Sequence, residues 1–96
     1  MLITKKIKVG EKYIEAIEMK LQTKNLILLR GDKGYIMCGY LNLEAAEKFN
    51  DVAVKITGVS TIDDALKTQV HSCTSAAKAL GIKDGQPINE VLSIIA

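Results

Sequence analysis

The sequence predicts an α+β fold: a two-layer α/β sandwich in which N-terminal antiparallel β-hairpins form a mixed sheet and short helices fill the C-terminal half. Three observations carry that expectation. Apolar residues recur at every second position over much of residues 1–40 and at helical spacing from Asn42 onward. Glycine-containing turns cut the first part into runs of strand length. The chain has 96 residues, 48% hydrophobic and 25% charged, which is the balance of a globular chain with room for one core. A single domain over residues 1–96 is therefore expected, β-rich over 1–40 and helix-rich over 41–96.

The first hairpin is read from Leu2, Ile3, Ile7 and Val9 alternating with Lys6 and Lys8, a turn at Gly10-Glu11, and a second run from Tyr13 to Leu21. Within that run the apolar positions move from even (Ile14, Ala16) to odd (Ile17, Met19, Leu21). Either a bulge shifts the register or both faces are covered. Leu26 to Leu29 and Tyr35 to Cys38 form a second hairpin around Arg30-Gly31-Asp32-Lys33-Gly34, whose two glycines are free to take positive φ. Continuous apolar runs in both strands imply burial on both faces, by helices on one side and another subunit on the other.

Asn42 is positioned to cap a short helix with Leu43, Ala46 and Phe49 on its apolar face. Val52, Val54 and Ile56 then alternate with polar or small neighbours, a strand that a crossover helix would place parallel to the preceding one. Ser60 and Thr61 each stand three residues before an acid, Asp63 and Asp64, as at the start of a capped helix carrying Ile62, Ala65 and Leu66. Residues 74–80 read as a further helix stopped by Gly81, and residues 82–85 turn the chain. Pro87 opens the last helix, where Ile88, Val91, Leu92 and Ile95 follow the i, i+3, i+4, i+7 spacing.

The net charge of +2 hides an asymmetry: residues 1–34 carry eight basic and four acidic side chains, residues 35–96 five and seven. With no Trp, three Tyr and one Phe, there are neither clustered cations nor stacking platforms for a nucleic-acid partner. No apolar run approaches the roughly 18 residues of a membrane span, and none follows the N-terminal lysines as in a secretory leader. A cytoplasmic protein is expected, with Cys38 and Cys73 reduced.

The segments Gly34-Tyr35-Ile36-Met37-Cys38-Gly39, Gly58 to Leu66, and Thr74-Ser75-Ala76-Ala77 leading into residues 80–85 together resemble the YunC-like family of bacteria and archaea, a domain of unknown function. The likeness spans nearly the whole chain. It implies a two-layer α/β domain whose N-terminal β region mediates tetramerisation, so the expected partner is a further copy of the chain in a homotetramer. It brings no known reaction, substrate or cofactor.

Cys38 is the candidate nucleophile because it ends a strand before Gly39 and lies a few residues from a helix start, although a free cysteine after Tyr-Ile-Met more often serves as a small buried hydrophobe. Gly34, Tyr35, Cys38, Gly39, Thr61 and Asp63 are the candidate ligand-binding residues. Thr61, Asp63 and Asp64 read first as a helix cap with acids at its positive end. His71 and Cys73 form His-x-Cys; with Cys38 they give three metal ligands and would need Asp63 as a fourth, so no metal site is expected. The glycine spacing over residues 81–85 fits neither dinucleotide nor P-loop fingerprints, and no cofactor is expected. Arg30-Gly31-Asp32 reads as a turn, and Lys5, Lys6 and Lys8 as a solvated strand face. The sequence thus points to a homo-oligomeric module binding a small ligand or a partner protein, with a thiol-dependent enzyme using Cys38, helped by Tyr35, Thr61 or Asp63, as the alternative.

Overall fold

The computed structural model describes residues 1–96. Strands β1 (Leu2–Val9), β2 (Lys12–Lys20), β3 (Asn25–Arg30), β4 (Tyr35–Met37), β5 (Ala53–Lys55) and β6 (Ser72–Cys73) form one sheet in sequence order. All neighbours are antiparallel except β4 and β5, which run parallel. Helix α1 (Leu43–Lys48) supplies the crossover that a parallel pair requires. Helices α2 (Ile62–Lys67), α3 (Ser75–Ala79) and α4 (Ile88–Ile95) follow. The sheet is mixed and the fold is α+β, as the periodicities predict.

Register explains the shifted apolar pattern in β2. The β1–β2 and β2–β3 ladders run unbroken, with Ile14 opposite Ile7 and Ala16 opposite Leu29, so no bulge intervenes. Ile14 and Ala16 point to the inner face and are buried, while Ile17 and Met19 point to the outer one. On the inner face, Ile14, Ile27, Leu29, Ile36 and Val54 pack with Ile62 and Ala65 of α2 and with Ile88, Val91 and Ile95 of α4. One cluster of 19 buried residues thereby joins the N-terminal strands to the C-terminal helices.

The outer face has a different fate at its two ends. Near β5, Ala53, Leu41 and Ala46 of α1 make a second, smaller cluster against Tyr35 and Met37. Across β2 and β3, Ile17 and Leu28 face each other, belong to neither cluster and remain half-buried, and Met19 opposite Leu26 is 39% exposed. Over β2 and β3 the chain itself therefore covers one side only, whereas β4 and β5 are covered on both.

Two local readings are corrected. Gly31 and Gly34 do not take positive φ, which falls instead at Gly10, Gly58, Gly81 and Gly85. What excludes a side chain from the β3–β4 turn is close approach: a Cβ at Gly31 would collide with the Ile95 carbonyl, and one at Gly34 would sit 2.6 Å from Val52 Cγ1. Phe49, expected on the apolar face of α1, caps its C-terminus and is 74% exposed, because only Ala46 of that helix reaches full burial. Strand β6, too short for any periodicity to show, pairs with β5 through Cys73 and Ser72.

Candidate functional site

The two parallel strands end at the same edge of the sheet, and the chain leaves each through a glycine: Gly39 after β4, Gly58 after β5. Gly58 needs its φ of 72°, which disfavours any side chain, whereas a Cβ at either position would meet nothing within 4 Å. The β2–β3 connection reaches the same edge because β3 runs antiparallel to β4. Segments 23–25, 38–40 and 57–60 thus enclose a cleft of about 690 Å³, within the range of small-molecule sites. Clefts outside the carboxyl ends of parallel strands are where open α/β sheets bind ligands. Asn25 ties two walls together, its Nδ2 donating to the Ser60 carbonyl at 2.8 Å.

Cys38 lines the cleft but is only 4% exposed. The Cys38 N–H donates to the Ile27 carbonyl at 3.1 Å, continuing the ladder one residue past β4. The reciprocal bond is unusual: the Ile27 N–H donates to Cys38 Sγ at 3.3 Å, while the Cys38 carbonyl has turned to accept from the Leu41 N–H at 3.0 Å. Sulfur takes over the acceptor role that the turn withdraws from the backbone. No histidine or carboxylate lines the cleft, so a general base for the thiol is not supplied there.

The other sequence-derived candidates lie elsewhere. Gly34 and Tyr35 sit at the opposite end of β4, where Tyr35 donates its hydroxyl to Asp51 Oδ2 at 2.8 Å. Burial, and secondly that bond to Asp51, push the Tyr35 phenol up to about 12. Thr61 is the N-cap of α2, its Oγ1 accepting from the Asp64 N–H at 3.0 Å. Asp64 returns the contact by accepting from the Ser60 N–H at 3.0 Å, and that bond holds its carboxyl below the usual range. Glu18 reaches across from β2 to accept from the Ile62 N–H at 2.9 Å. The start of α2 is thus occupied by the protein's own carboxylates, and Asp63 is exposed beside it. Cys38 and Gly39 share the cleft; Gly34, Tyr35, Thr61 and Asp63 do not line it.

Nor do the four potential metal ligands converge. His71 is exposed with Nδ1 3.0 Å from Ser72 Oγ, and Cys73 is buried with its thiol directed to Asp84 Oδ1 at 3.7 Å. Burial, then the nearby Asp84 charge, push the Cys73 thiol up, which keeps it protonated as a donor. No group of three or more His, Cys, Asp or Glu side chains is arranged to hold a metal ion.

Eight cleft residues are not among the candidate site residues, namely Thr23, Lys24, Asn25 and Tyr40, with 57–60, although Gly58, Val59 and Ser60 lie in the motif that carries the resemblance. Their signal was the parallel pair itself, since the residues that follow both strands must meet at one edge.

A family described as Domain of unknown function (DUF1805) matches residues 37–95. The chain belongs to this family. It is also 40% identical over 81 residues to the uncharacterized protein YunC of Bacillus subtilis (strain 168), covering 80% of each chain. The crystal structure of a protein of unknown function, TA1206, from Thermoplasma acidophilum superposes with a TM-score of 0.96 at 34% identity, over 100% of this chain and 94% of that one. The likeness to the YunC-like family carried by the glycine and cysteine motifs is therefore a true relationship. The DUF1805 match contains two of the three cleft segments, 38–40 and 57–60, while β1, β2 and β3 precede it. No helix of the chain is long and apolar enough to cross a membrane.

Proposed function

We propose that this DUF1805 protein is a homo-oligomeric binding module, assembled as a tetramer through the outer face of β1–β4 and offering the cleft at the ends of β4 and β5 to a small molecule. The observation that carries the binding role is the cleft of about 690 Å³ lined by three separate segments. Its size and position fit a ligand site, and its lining lacks an acid–base set. Assembly is supported by the outer face, where Ile17, Met19, Leu26, Leu28 and Met37 form contiguous apolar surface with no helix over β2 and β3. A chain of this length leaves a large share of its surface in water, and burying that patch against a second copy offsets the shortfall. Sedimentation equilibrium tests the assembly, and mass spectrometry of small molecules released on denaturing the gently purified protein tests the binding role. A tetramer releasing one stoichiometric compound is expected; a monomer that releases nothing contradicts the proposal.

The thiol-enzyme reading rests on the presence of Cys38 in the cleft wall. Its burial and its bond from the Ile27 N–H favour a structural sulfur. Alkylation of the native protein by iodoacetamide at the rate of a small free thiol would revive it.

A further inference from the structure

Resting on the cleft as a binding site, we infer that its ligand is a small organic anion, a carboxylate or phosphate attached to a flat apolar body. Charge supplies the first argument. Lys24 is the one ionisable cation in the lining, and no carboxylate lines the cleft. The protein's two salt bridges join Lys12 to Asp32 and Arg30 to Glu15, so Lys24 keeps no acidic partner of its own. Lys24 is exposed at the cleft wall, and a concave surface lined by one sign of charge focuses its field on an approaching anion more than an open face does.

Backbone donors supply the second. Gly39 and Tyr40, leaving β4, and Thr57, Gly58 and Val59, beyond β5, donate their N–H groups to no protein acceptor. Five amides of the lining in two adjacent loops are therefore free to donate, in a cleft whose walls are opened by two glycines. Runs of unpaired amides beside a cation are how loops at strand ends bind oxyanions. Glu18 and Asp64 are turned onto the amides of Ile62 and Ser60 and stand outside the lining. Tyr40, half exposed, and Val59 provide the apolar wall against which a flat body would lie.

The test is an amide-resolved NMR titration of the full chain with benzoate and, separately, with its neutral counterpart benzamide. Benzoate should shift the amides of residues 39, 40 and 57–59 saturably, with an affinity at least about tenfold above that of benzamide. Lys24→Gln should bring benzoate down to the benzamide level. Gly39→Leu is compatible with the fold, since Gly39 lies outside the positive-φ region and a Cβ there meets nothing; filling the cleft, it should abolish both responses. Equal affinity for the two compounds, or benzoate binding unchanged by Lys24→Gln, overturns the anion inference while leaving the cleft a binding site. Benzoate failing to shift these amides also overturns it, and the binding role itself is then decided by the released-compound measurement.

Discussion

At Cys38 a side chain does the work of a backbone carbonyl. The turn from residue 38 to 41 claims the carbonyl, and without the sulfur the buried Ile27 N–H would have no acceptor. Leaving a buried donor unpaired costs about 1–3 kcal/mol. Cys38→Ala should therefore lower stability by about that amount, measured as a shift in the urea midpoint, with Cys38→Ser losing less because the hydroxyl can still accept. Equal stability of the alanine variant and the wild type would show that the sulfur contact contributes nothing. Tyr35 gives a residue-scale prediction in pH. Its phenol titrates near 10 when unfolded and about 12 when folded, so folding favours the protonated form. That contribution is complete below pH about 10 and is lost as pH rises toward about 12. The stability advantage of the wild type over Tyr35→Phe should accordingly shrink across that interval, as followed by denaturant midpoints at stepped pH; an advantage constant in pH would contradict it.

Among the elements, the short helices stand because other segments satisfy their first N–H groups. Thr74 is fully buried at the N-cap of α3: Oγ1 donates to the Asp51 carbonyl at 2.6 Å and accepts from the N–H groups of Ala53 at 3.2 Å and Ala77 at 3.3 Å. Glu47 of α1 adds an acceptor for the Ser75 N–H at 2.9 Å. One hydroxyl thus joins β5 to α3, and Thr74→Val, equal in shape but without those bonds, should cost about 2–4 kcal/mol by thermal or urea unfolding. Thr61→Ala, at the exposed α2 cap, should cost about 1 kcal/mol. A smaller effect at Thr74 than at Thr61 would refute this assignment. The caps at Asn42 and Thr61, the parallel placement of β5 and the C-terminal helix were legible because each leaves a local mark: a capping residue, an alternation, an i, i+3, i+4 spacing. Gly31 and Gly34 were misread because the same residue serves a strained turn and a tight contact, and only the position of Ile95 and Val52 in space distinguishes them. Strand β6 exists through its pairing with β5, which two residues cannot announce.

For the whole molecule, the apolar register of β2 and β3 holds the largest consequence. The inward-facing positions, even in β2 and odd in β3, build the core, and the outward-facing ones, Ile17, Met19, Leu26 and Leu28, are visible in the sequence as surplus hydrophobicity. The cleft was half legible: Cys38 and Gly39 were found from a strand end, while segments 23–25 and 57–60 join them only through topology. Ile17→Glu combined with Leu28→Glu, on the outer face and outside both core clusters, should dissociate the proposed tetramer while leaving the far-ultraviolet circular dichroism of the fold intact. Unchanged assembly in that double variant would place the interface elsewhere. The most direct measurement is a native mass spectrum of the protein purified gently from its host, because subunit count and retained ligand are read together. A tetramer carrying a stoichiometric small-molecule adduct is the predicted result; a monomer without any adduct would contradict the account.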